Sequence, residues 1–185
     1  MPGSQAVHDD DLGITWVANA NLALTNQFGL TLSADILDDS PDTVGSTGLM
    51  TWENAQAWIS GMNTANYLGF NDWRFAETLI PDNGCDGVAS QGAGCSGSEM
   101  GHLFYDEFGA DPNTSVLATG DPTELAKFSN LQTDDYWSGT EFVSNTGFVY
   151  MFGFDAGAQR IVIKTENHFA LAVRGGAIIP IPPGM

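Results

Sequence analysis

The sequence predicts an α+β domain, on three observations. Two segments carry hydrophobic residues at helical spacing, "TWENAQAWISGMN" and "SGSEMGHLFYDEFG". After about residue 135 the pattern changes to four β-like runs. The whole chain has the length and apolar content of one core, 185 residues of which 43% are hydrophobic. Helices followed by an antiparallel sheet are the mark of the α+β class.

The elements follow in order. "LGITWV", Leu12–Val17, reads as a short strand. Residues 35–48, "DILDDSPDTVGSTG", form an acidic, turn-rich loop. The first helix has Thr51 as its N-cap and Trp52, Ala55, Ile59 and Met62 on one face. In the second, Ser96 and Glu99 have capping-box spacing. Met100, Leu103, Phe104 and Phe108 make its stripe, and Gly109 stops it. "DYWSGTEF", "GFVYMFGFD", "QRIVIKT" and "FALAVRGG" then predict an antiparallel meander, with turns at 145–147, 156–157 and 166–168. The organisation expected is an acidic lead over 1–11, one domain over 12–176 and a proline-rich tail over 177–185.

Charge narrows the partners. Residues 1–141 hold 21 acidic residues against Arg74 and Lys127, a net of −19. Residues 142–185 hold Asp155 and Glu166 against Arg160, Lys164 and Arg174, a net of +1. Such a surface repels nucleic acid and anionic membranes. No stretch approaches the length of apolar chain needed to span a bilayer, so no transmembrane segment is expected.

Cys85 and Cys95 flank a loop rich in Gly, Ser and Ala. A disulfide closing it is a simpler reading than two reduced thiols, and it implies an oxidising compartment. The start, "MPGSQAVHDDD", has neither a basic head nor an apolar run. An exported chain would then be in its mature form with Met1 added or retained. Zinc is not expected, because there is no Cys-x-x-Cys pair and His8, His102 and His168 are far apart in sequence. Clustered aspartates offer hard oxygen ligands for a structural calcium ion: Asp9–Asp11, and Asp35, Asp38, Asp39 and Asp42 in the acidic loop. Their spacing is not that of an EF-hand. No other cofactor is indicated.

Taken together, "TWENAQAWISGMN", "GFNDWRFAE", "SEMGHLFYDEFG", "YWSGTEF" and the last run, "ALAVRGG", resemble the collagen-like-adhesin C-terminal (Lcl C-terminal) domain family of the C-type-lectin-like superfamily. The resemblance runs from about Leu12 to Gly176. "NDWR" and "YWSGTE" in this order carry most of it. The opening "DLGITWVANANLA" and the ending "IIPIPPGM" resemble exported members with a sorting tail of the PEP-CTERM type. Val173 stands where many relatives have a cysteine, and "DWRFAET" replaces the family's "DWRLPT". The resemblance implies two helices packed on an antiparallel sheet, with Trp73 and Arg74 as framework residues. Trp137 reads as a core tryptophan, its indole packed where a strand enters the core.

The resemblance also places the binding face on the late strands and their connections. The turns there supply Asn145, Thr146, Asn167, His168 and Phe169, with Tyr150 and Lys164 as the nearest strand residues. Catalytic patterns are thin. Ser138 lacks the Gly-x-Ser-x-Gly elbow, and His102 reads as a packing or helix-surface residue. The function expected is therefore a non-enzymatic binding or adhesion domain, extracellular or at the cell surface, whose ligand is a glycan or a protein. The rival is a structural subunit that assembles with copies of itself into a homo-oligomer. An enzyme is the third reading.

Overall fold

The computed structural model describes residues 5–177. The tail with Pro180, Pro182 and Pro183 lies outside them. The architecture is mixed α and β, with short helices and mainly antiparallel sheets. No helix among the described residues is long and apolar enough to cross a membrane.

One four-stranded antiparallel sheet is built from β1 (Ala6–Asp9), β2 (Ile14–Val17), β5 (Arg74–Phe75) and β10 (Ala172–Gly175), in the order β1-β2-β10-β5. Residues 6–9 of the expected acidic lead thus form its edge strand. A second antiparallel sheet has the order β6-β9-β8-β7, from β6 (Gly92–Ala93), β7 (Asp135–Glu141), β8 (Phe148–Gly153) and β9 (Ala158–Ile163). The small strands β3 (Thr31–Leu32) and β4 (Thr43–Val44) pair in parallel. The four late runs therefore do not form one meander. Three do, and "ALAVRGG" leaves to pair with β2 and β5.

The helix α1 (Trp52–Thr64) starts where expected: the Thr51 side chain accepts from the Asn54 amide, and Trp52, Ala55, Ile59 and Met62 are buried. The second helix differs at its start. Ser98, not Ser96, is the N-cap of α2 (Glu99–His102), so Ser96 and Glu99 form no capping box. Glu99 points instead at Arg74. The helix widens into a π turn over Leu103–Glu107, closed by the bond from the Phe108 amide to the Leu103 carbonyl at 3.0 Å. Gly109 follows at φ +59°, the left-handed conformation that stops it. Two short helices come next, α3 (Val116–Thr119) and α4 (Pro122–Leu125).

Two cores explain the continuous apolar runs. One surrounds α1, with Trp52, Trp58, Met62, Trp73, Phe75, Trp137, Val149 and Met151. The other surrounds α2, with Trp16, Phe104, Phe108, Tyr136, Phe152, Phe154 and Val173. In β8, Val149 and Met151 face the α1 core while Phe152 faces the α2 core, and in β7 Trp137 and Tyr136 divide the same way. Both faces of this sheet are covered. Period-two alternation therefore separates one core from another rather than core from solvent.

Candidate functional site

The five basic residues are spent as braces. Arg74 forks onto Glu99 at 2.7 and 2.6 Å and donates to the Phe75 carbonyl at 2.8 Å. Glu99 also accepts the Glu77 amide at 2.7 Å. Trp73 is clamped by Asn63 of α1 through two bonds of 2.8 Å, and its indole donates to the Tyr67 carbonyl. The "NDWR" segment thereby ties α1 to α2. Arg174 of β10 forks onto Asp72 at 2.7 and 3.0 Å and lies over the Phe70 ring. Arg160 meets Asp135, Lys127 meets Glu124, and Lys164 meets Glu141 while lying 4.0 Å from the centre of the Trp52 ring. Each of the five Lys and Arg side chains thus faces a carboxylate.

Cys85 and Cys95 are bonded to each other. Their loop is more than a tether. It supplies β6 and receives the Tyr150 hydroxyl at Ala89 O and the Gln159 amide at Ser90 O. The Asp82 carboxylate caps the far side by accepting the amides of Gly84, Gly97 and Ser98.

The residues expected to face a ligand are divided. Asn145 and Thr146 are exposed in the β7–β8 turn. Tyr150 is buried at 1% exposure, its hydroxyl bonded to Ala89 O, and Phe169 at 5% in the core around α2. His168 is not at a turn apex. Its backbone pairs with Met50, and its ring packs edge-on to Trp137 at 4.5 Å. Asn167 is half-buried, with a buried Oδ1. Lys164 is committed to Glu141 and Trp52. The exposed turn expected around residues 166–168 is therefore corrected: Thr165 and Glu166 reach solvent, and the following residues enter the core. Trp137 is fully buried, its indole donating to the Met50 carbonyl at 2.8 Å. Ser138 is also fully buried, bonded to Ala76 O and Thr78 Oγ1, so it presents no nucleophile.

Tertiary structure joins what was read as two separate regions. The Lys164 amide donates to Gly147 O, and the Trp52 amide donates to Lys164 O, both at 3.1 Å. These bonds set the β7–β8 turn and the segment after β9 against the start of α1. From the other side, Asn54 holds the acidic loop: its Nδ2 donates to Ser40 O at 2.9 Å and its Oδ1 accepts the Asp42 amide at 3.0 Å. Between them opens a groove of about 340 Å³, lined among others by Asp39, Asp42, Thr51, Glu53, Asn54 and Thr165. Three acidic residues and two threonines line this one concavity, with Asn54, whose amide is taken up by Ser40 and Asp42, behind them. The aspartates of the loop do not converge as a calcium cage; among the described residues the convergent acidic groups lie elsewhere. The Asp38 carboxyl instead stays below the usual range through hydrogen bonds from Ser33 and Ser40.

One such group involves His102. Its Nε2 lies 3.8 Å from Asp9 Oδ2 and 3.8 Å from Glu107 Oε1, and its Nδ1 lies 3.1 Å from Asp106 Oδ2. The run Asp9–Asp11 is thus split, with Asp9 buried and Asp10 and Asp11 exposed. No sequence signal marks this meeting, since Asp9 and His102 lie more than ninety residues apart in the chain. No protein-family model matches the chain, and no curated protein matches it.

Proposed function

We propose that this chain is an extracellular, non-enzymatic binding or adhesion domain of C-type-lectin-like type, as its resemblance to the Lcl C-terminal family implies. The ligand sits in the groove between the acidic loop, the start of α1 and Thr165. The observation that carries this reading is the convergence of Asp39, Asp42, Glu53 and Thr165 on a concavity backed by a fixed amide, Asn54. Carboxylates and amides accept and donate to sugar hydroxyls without demanding charge on the ligand. The net charge of −18 and the paired cations argue against sulfated glycans, heparin-like chains and DNA. A neutral glycan fits best. The disulfide is compatible with export.

A second reading, a structural subunit that self-associates, draws on Ile36 and Leu37, which are exposed in the acidic loop, and on Val143 in the β7–β8 turn. A glycan array at physiological salt, repeated with Asp42→Asn, Glu53→Gln and Thr165→Ala, separates the two. The expected outcome is binding to uncharged glycans that falls at least tenfold in the groove variants and persists in Asn145→Ala. Undiminished binding by all three groove variants overturns the site. A concentration-dependent oligomer with no array signal favours the subunit.

A further inference from the structure

The geometry points to a divalent transition-metal site, of the kind that takes Zn²⁺, formed by Asp9 Oδ2, His102 Nε2 and Glu107 Oε1. The three donor atoms all lie within 4.8 Å of one another. Two of them are buried without a hydrogen-bond partner, Asp9 Oδ2 and His102 Nε2. The Asp9 side chain is only 2% exposed, and its other oxygen is occupied by the Leu12 amide at 2.9 Å. Burying a carboxylate oxygen and an imidazole nitrogen face to face, 3.8 Å apart, costs stability unless something bridges them.

The surroundings fit a cation. Asp106 Oδ2 lies 3.1 Å from Nδ1 and favours a proton on that nitrogen, which would leave the Nε2 lone pair for an ion between Asp9 and Glu107. A carboxylate that orients a histidine from behind in this way is the usual partner of a metal-bound imidazole. The π turn supplies the register. In a regular α-helix His102 and Glu107 would point about 140° apart, five residues at 3.6 per turn. The wider closure through Phe108 and Leu103 brings them to one side. Such π turns recur at functional sites.

Donor chemistry selects the ion. One imidazole and two carboxylates suit zinc and its neighbours better than calcium, which prefers an all-oxygen shell. Zinc bonds of about 2.0–2.2 Å require the donors to close in by less than an ångström on the His102 side, within the reach of side-chain rotation. Glu107 is partly exposed and gives the ion a way in, past the carboxylates of Asp11 and Glu124. Three protein donors leave a fourth position for water or for an oxygen of a partner. No local motif marks these ligands, because β1, α2 and the π turn bring them together from distant segments.

The test uses the full chain without a polyhistidine tag. Titration calorimetry with ZnCl₂, and separately with CaCl₂, is run on the wild type, His102→Gln, Asp9→Asn and Asp106→Asn, with circular dichroism to verify folding. The expected result is one Zn²⁺ per chain, preferred over Ca²⁺, with a rise in thermal midpoint. Binding is lost in His102→Gln and weakened about 10- to 100-fold in Asp106→Asn, whose residue touches only the ring behind the ion. Absence of zinc binding by the wild type, or unchanged binding in folded His102→Gln and Asp9→Asn, overturns the site. The readout is metal binding itself, independent of glycan capture.

Discussion

Replacing Arg74 by alanine tests why a chain with five cations places one after Trp73. The side chain makes three hydrogen bonds, two to Glu99 and one to Phe75 O. Its loss leaves Glu99, whose side chain is 17% exposed, with the Glu77 amide as its remaining partner. Breaking a fully buried pair costs about 3–5 kcal/mol. An exposed pair is worth about 0–1 kcal/mol. Arg74 is 35% exposed, and a bidentate fork is stronger than a point contact, so the cost falls between these limits, at about 2 kcal/mol. For a chain of this length that lowers the thermal midpoint by about 4–8 °C. Arg74→Lys keeps the charge and loses the fork, and should recover about half of the difference. A double-mutant cycle with Glu99→Gln, read by calorimetry, should return a coupling of about 1 kcal/mol or more. If Arg74→Ala melts within 1 °C of the wild type, or the cycle shows no coupling, the brace is not what holds "NDWR" in place.

Two further outcomes are expected. The Arg174 hydrogen bond holds the Asp72 carboxyl below its ordinary value of 3.8. A lowered folded-state value stabilises above 3.8 and is lost as pH falls through the folded value. The midpoint gap between wild type and Asp72→Asn should therefore be present at neutral pH and close in acid, and a gap unchanged across that range removes the assignment. Asp72 is half exposed, so the gap is worth less than about 1 kcal/mol. For the disulfide, a loop of 10 residues' separation corresponds to roughly 3 kcal/mol of chain entropy. The Cys85→Ser/Cys95→Ser variant should lose about that much in a denaturant titration, and equal midpoints would show that the β6 contacts alone hold the loop.

Local patterns were enough for much of this molecule. Thr51 capping α1, the buried stripes of both helices, Gly109 at a helix end and the pairing of Cys85 with Cys95 all follow from interactions within a few residues or from the simplest closure of one loop. The burial of Trp137 also follows from its own chemistry, a large indole with one donor, whereas the framework role of Trp73 is implied only by the family resemblance. Tertiary structure alone decided the rest. "ALAVRGG" has the same apolar content as its neighbours, and only the presence of β2 and β5 takes it out of the meander. Strand alternation alone leaves the side of Tyr150 open and Phe169 in an exposed turn; the fold buries Tyr150, its hydroxyl bonded to Ala89 O of the disulfide loop, and takes Phe169 into the core around α2. The groove exists because Asn54 pins the acidic loop against α1, and the His102 cluster exists because β1 brings Asp9 across from the chain's start. Periodicity reports which side of an element is apolar, whereas contacts between distant segments depend on how those sides are stacked, and that information is carried by the fold as a whole.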